Sequence, residues 1–304
     1  MIKLNKGICF GLLAAFNFSL MALFAKIAHL PIQEVIFTRS LFNLIASYIA
    51  IRRKELSIWG GFKNLPLLFM RGLAGYLSLS AYFFSLKALP IGEASLIQYM
   101  SPAFSGVIAF WIIGESISWK QWICLFFGFI GIGFVSRVLP FGELHIASGQ
   151  SIYWIACICS SLLSAVAYTF VRKLSLRGEN GDVIIFYFPL VSLPLSFLPF
   201  ILGWQKWVSP DFYQWLLIVG IGITSYAGQV FLTESLKLEK TARAANMLYF
   251  GALFGSIWGA VFLKDPITWG FAIGALIIIG SQLLFGKKEV EESRIREKMA
   301  PKDI

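Results

Sequence analysis

One arginine in an apolar run carries the sharpest chemical signal in this chain. The stretch FTRSLF places Arg39 about five residues into a series of aliphatic and aromatic side chains, with Asn43 one helical turn on and on the same face. A cation inside hydrocarbon costs roughly 3 kcal/mol or more, so this guanidinium has to be satisfied by something. Two readings are open. Arg39 pairs with the carboxylate of a small-molecule substrate, or it is a structural cation near the outer interface, snorkelling to headgroups or bonded to helix-end carbonyls.

A second set of polar groups has helical spacing. Ser95, Gln98, Pro102 and Ser105 fall at i, i+3, i+7 and i+10, and Pro102 would remove a backbone hydrogen bond and kink that helix in mid-membrane. Asn17, Tyr76, Ser80, Ser164, Tyr168, Tyr226, Gln229, Asn246 and Tyr249 place further hydrogen-bonding and aromatic groups in other apolar runs. Together they suit a ligand with a flat or cationic part and a polar end. For any one of them the alternative is a hydrogen bond between helices. The two histidines, His29 and His145, map outside the apolar runs, and Glu34, Glu93 and Glu234 map near run ends. The sequence therefore predicts no metal cluster, no membrane-embedded proton relay and no cofactor. Cys9, Cys124, Cys157 and Cys159 all lie within runs and read as packing residues, since a C-x-C pair on a helix points its thiols apart.

The elements that position these groups follow from composition. With 58% hydrophobic and 14% charged residues and a mean hydropathy of +0.75, the chain is far more apolar than a soluble domain. It divides into ten candidate spans: 7–27, 34–51, 66–86, 92–113, 119–138, 150–171, 183–203, 212–234, 243–263 and 267–286. Each is near the roughly 20 residues that a helix needs to cross hydrocarbon. The alternating pattern of a membrane β-barrel is absent, so the expected class is an all-α integral membrane protein. The start, MIKLNKGICFGLLAAF, imitates a secretory signal, but its apolar run continues to about Ile27 without an evident cleavage site, which favours an uncleaved first helix.

Sorted by loop, Lys and Arg gather on one side, in the 52–63, 172–177, 237–243 and 287–302 segments above all. Lys26, Lys87, Arg137, Lys206 and Lys264 fall on the other side. By the positive-inside rule both termini face the cytoplasm, in a multi-pass protein of the inner membrane. The same bias accounts for most of the net charge of +10 without nucleic acid.

The chain also restarts. SLKALPIGEASLIQYMSPAF begins at Ser85, and SLKLEKTARAANMLYFGALF begins 150 residues later at Ser235. Ser85, Leu86, Lys87, Ala94, Tyr99, Phe104, Ile117 and Trp119 recur at that offset, and Tyr76 recurs as Tyr226. Five spans per copy is an odd number, so the copies are expected to be inverted in the bilayer, the pattern of carriers that rock one half against the other. The expected units are 1–145, 146–286 and a charged tail, 287–304.

These features resemble the drug/metabolite transporter superfamily, in its ten-helix group with two EamA-type repeats. The resemblance covers nearly all of 7–286. It is most specific in SLKALPIGEASLIQYMSPAFSGVIAFWIIGESISWKQWICLFFGFIGI, in FTRSLF, in FMRGLAGYLS with Arg71, and in YMSPAF. The second copy departs from the pattern, with Ala252 in place of Pro102 and Glu234 in an apolar helix end. The resemblance implies a central cavity lined mainly by spans 1, 3, 4, 6, 8 and 9 and moving a small organic metabolite; amino-acid exporters and S-adenosylmethionine carriers are relatives of this kind.

Gly251, Gly255 and Gly259 form a double GxxxG, and Gly128, Gly131, Gly270 and Gly274 add further small-residue stripes expected to let helices approach closely; a homodimer contact is allowed by the same pattern. Ser118 and Gln121 read as a capping box, with Thr268 at the equivalent start. Glu115 and Asp265 read as structural charges near those helix starts, and Trp119 and Trp269 as interfacial rings. Glu234 reads as paired with Lys237 one turn later. The rival classes are an integral-membrane enzyme, for which a nucleophile-base pair or metal ligands at membrane depth would be needed, and a scaffold without transport.

Overall fold

Long apolar runs have no water to satisfy their amides, so each closes its own backbone as a helix. The computed structural model describes residues 5–85, 97–135, 151–264 and 269–281, and all regular structure among them is helical. In chain order the helices are α1 (Lys6–Ala28), α2 (Ile32–Arg53), α3 (Leu65–Ser85), α4 (Ser101–Ile113), α5 (Trp119–Val135), α6 (Ser151–Leu176), α7 (Gly181–Ile201), α8 (Phe212–Leu238), α9 (Thr241–Asn246), α10 (Phe250–Leu263) and α11 (Trp269–Ser281). Seven stretches are long and apolar enough to cross a membrane, and three shorter apolar helices occupy the remaining predicted spans. Ser95, Glu93, His145, Asp265, Thr268 and the 287–304 tail lie outside the described residues.

Packing joins early helices to late ones. α1 packs chiefly on α8 and then α10, α3 on α6 and α7, α2 on α7 and α8, and α4 on α6 and α9. Close approaches depend on glycine where backbone meets bulk. A Cβ on Gly72 of α3 would lie 2.6 Å from the Tyr187 carbonyl oxygen, and one on Gly131 of α5 would lie 2.7 Å from Ile278. The close approach expected at the double GxxxG is met unevenly. Gly251 faces Tyr99 at close range, whereas Gly255 is exposed with open space beside it.

Pro102 also acts differently from an interior kink. Residues 97–98 are helical, Tyr99 and Met100 form a turn, and α4 restarts at Ser101 with the proline in its first turn. A missing N–H is harmless there, because first-turn amides have no helical acceptor. The second half breaks in the corresponding place: α9 ends at Asn246, a 3-10 turn spans Met247–Tyr249, and α10 starts at Phe250. The capping box is present, with Gln121 N donating to Ser118 Oγ at 3.2 Å and Ser118 N donating to Gln121 Oε1 at 3.1 Å. Trp119 and Trp269, the first residues of α5 and α11, are mostly exposed.

Helix alternation brings the segments around residues 54, 115, 172, 182 and 239 to one end, here the basic end. Arg172 meets Glu115 at 2.7 Å and Lys54 meets Asp182 at 2.5 Å. Glu115 also accepts from the Thr241 amide at 2.9 Å and its hydroxyl at 3.0 Å. Glu179 accepts from Gly61 N and Asn64 Nδ2, and Glu239 from Asn5. Glu234 sits 3.7 Å from Lys237 as expected.

Candidate substrate site

Five helices deliver one side chain each to a buried cluster. Arg39 comes from the second turn of α2, Arg71 from the second turn of α3, Phe188 from α7, Gln229 from α8 and Tyr168 from α6. α2 and α3 run in opposite directions, so two arginines near their starts converge from opposite ends. At 1.5 Å per residue each has travelled roughly 10 Å into its helix. The guanidinium carbons lie 5.3 Å (Arg39) and 4.7 Å (Arg71) from the centroid of the one Phe188 ring. The ring is held by backbone, since a Cβ on Gly75 would come within 2.8 Å of it.

The arginines are 5% and 4% exposed, which removes the snorkelling reading of Arg39. Arg71 Nη2 donates to Gln229 Oε1 at 2.9 Å. Nε of both residues is buried without a hydrogen-bond partner, and among the described residues no carboxylate pairs with either. Two unit charges near one ring repel by roughly 2 kcal/mol at an effective dielectric of about 20, and two cation–π contacts of about 1–2 kcal/mol each can offset that repulsion. They bring no counter-charge, so among the described residues both cations stay uncompensated. Tyr168 interacts with Ser164 and lies in the field of Arg71, extending the cluster towards residue 98.

The other predicted residues fall into separate groups. Gln98 is spent on serines: its Nε2 donates to Ser164 Oγ at 2.9 Å and its Oε1 accepts from Ser160 Oγ at 2.7 Å, with Ser78 closing the network. Tyr76 donates at 2.9 Å to the Leu195 carbonyl, which is the acceptor that Pro199, four residues on, cannot serve. Asn43 accepts from Ser225 at 3.0 Å, Ser105 donates to the Pro102 carbonyl at 2.8 Å, and Asn17 donates to its own helix at Leu13. Tyr226 is half-buried on α8. Ser80 lines a cavity of about 280 Å³ with Pro31, Ile32, Gln33, Phe83, Phe84 and Gln205, at the end opposite the basic one.

A second group sits where the two broken helices meet. The rings of Tyr99 and Tyr249 are 6.3 Å apart, edge to face. Tyr249 is fully buried, and its hydroxyl and Asn246 Oδ1 have no hydrogen-bond partner. Gly128 of α5 packs closely against the Tyr249 ring, where a Cβ would come within 2.4 Å of it.

An all-helical bundle with seven helices long and apolar enough to cross a membrane has the architecture of a multi-pass membrane protein. The chain matches the EamA-like transporter family over residues 5–137 and 152–286, and it belongs to that family. It is 31% identical over 285 residues to the pseudopaline exporter CntI of Pseudomonas aeruginosa, covering 91% of this chain and 94% of that protein. It is 25% identical to solute carrier family 35 member G1 of Homo sapiens over 91% of this chain and 78% of the relative. The S-adenosylmethionine uptake transporter of Rickettsia prowazekii is 23% identical over 74% of each chain. A solved crystal structure superposes with a TM-score of 0.79 at 20% identity, over 93% of this chain and 98% of that one, which fixes the fold alone.

Proposed function

We propose that the protein is a secondary transporter that moves a small carboxylate-bearing metabolite, of the amino-acid or S-adenosylmethionine-like zwitterion class, across the cytoplasmic membrane by alternating access. One observation carries the reading: Arg39 and Arg71 share the Phe188 ring, buried and without a carboxylate partner among the described residues. The unpartnered Tyr249 hydroxyl and Asn246 oxygen would receive the other, hydrogen-bonding end of a zwitterion.

The halves act as inverted five-helix repeats. Two features support this. Exchanging the halves turns the α1–α8 contact into α6–α3 and the α2–α8 contact into α7–α3, both of which are major contacts. The helix breaks at 99–100 and 247–249 match the 150-residue offset to within two residues, and paired interruptions of this kind point to the binding region of inverted-repeat carriers. The basic end is the cytoplasmic one, by the distribution of Lys and Arg.

Reconstitution in proteoliposomes tests the reading. Saturable flux of an amino acid or S-adenosylmethionine is expected, and its absence across a broad panel of carboxylate metabolites would leave a scaffold instead.

A further inference from the structure

We infer that the cargo presents two carboxylates to this site, one for Arg39 and one for Arg71. The inference rests on the carrier reading above and narrows its substrate class to metabolites with two carboxylates, such as an acidic amino acid, which leaves out S-adenosylmethionine with its single carboxylate. The two guanidinium groups are equivalent in what they lack. Each is at least nine-tenths buried, each lies over the same ring, and each keeps a buried Nε with no partner. Phe188 contacts both and can neutralise neither. Gln229 occupies one donor of Arg71 and brings no charge. A ligand with one carboxylate would neutralise one cation and leave the other buried beside it, which is the costly half-paired arrangement. Two carboxylates satisfy both forks and cancel their mutual repulsion. Planar guanidinium and carboxylate groups also match each other as bidentate pairs.

The test uses the full-length purified protein and two matched probe pairs, glutamate with glutamine and succinate with its monoamide. Each pair keeps size and removes one charge. Binding is read from ligand-dependent thermal stabilisation and transport from proteoliposome flux. The diacid is expected to bind about tenfold or more tightly than its amide. In Arg71→Gln the ratio of diacid to amide affinity should shrink to about twofold or less, and Arg71→Lys should restore part of it. A variant that merely loosened the fold would weaken both probes together. Equal binding and flux of acid and amide overturn the two-carboxylate inference and leave the carrier intact. If no probe of either pair binds or moves, the two-carboxylate inference falls, and the carboxylate-carrier reading falls with it only when the broad panel also shows no flux.

Discussion

Replacing Arg39 by methionine separates a binding cation from a structural one. A buried charge paired within the protein destabilises the fold when its partner is left behind, whereas removal of one of two mutually repelling cations relieves the fold. Arg39→Met is therefore expected to lower flux of the carboxylate substrate on the order of 100-fold, the scale of a charge-assisted pair. The melting temperature of the purified protein should stay level or rise, and a marked fall would return Arg39 to a structural role. Tyr76→Phe should do the reverse. It strands the carbonyl that Pro199 leaves free, so a loss of about 1–3 kcal/mol in stability is expected, with unchanged apparent affinity. The sequence announced Arg39 because a charge in an apolar run stands out. Arg71, as far into its span as Arg39, read as a family feature at a helix opening, and its burial beside a second cation became visible only once α7 supplied Phe188. That phenylalanine is chemically silent among 29; only its place under two cations gives it a role.

At the scale of elements, small-residue spacing is legible in sequence but the face that uses it is not. Gly128 and Gly255 both sit on four-residue stripes or close to them, yet a Cβ on Gly128 would meet the Tyr249 ring at 2.4 Å and one on Gly255 would meet nothing. Gly128→Ala is expected to cost about 1–3 kcal/mol by overpacking and to shift ligand affinity, because Tyr249 must move. Gly255→Ala should be neutral in both thermal melting and flux. Equal effects of the two would detach Tyr249 from the site. Most helix positions followed from apolar run length alone. The break at Tyr99–Met100 did not, because Pro102 signals a disturbance without saying whether a helix bends or restarts; the 3-10 turn at Met247–Tyr249, which has no proline, carries no local signal at all.

At the scale of the whole molecule, the two ends are fastened differently. At the basic end Arg172–Glu115, Lys54–Asp182 and the bonds of Glu179 and Glu239 each tie a residue of the first half to one of the second. The opposite end holds the cavity lined by Ser80 and Gln33, and its cross-half ties run through backbone groups, such as Gln214 Nε2 to the Ala28 carbonyl and the Val208 amide to Glu34. None of these partners could be paired from sequence, since Glu115 and Arg172 are 57 residues apart and each resembles an ordinary helix-end charge. Lys54 is more than half exposed and contributes little. Glu115 and Arg172 are each 13% exposed, and Glu115 takes three donors: Arg172 Nε, the Thr241 amide and the Thr241 hydroxyl. That makes it a fastening whose loss is expected to move an equilibrium. Glu115→Gln keeps the shape and removes the charge, and a change of about 1.4 kcal/mol shifts the population open at the basic end by about tenfold. Amide exchange across 239–246 should accelerate, because the Thr241 N–H loses its carboxylate, while exchange at 32–40 by the opposite cavity should slow or hold. Faster exchange at both ends together would mean general loosening, and a latch at Glu115 would then be the wrong description.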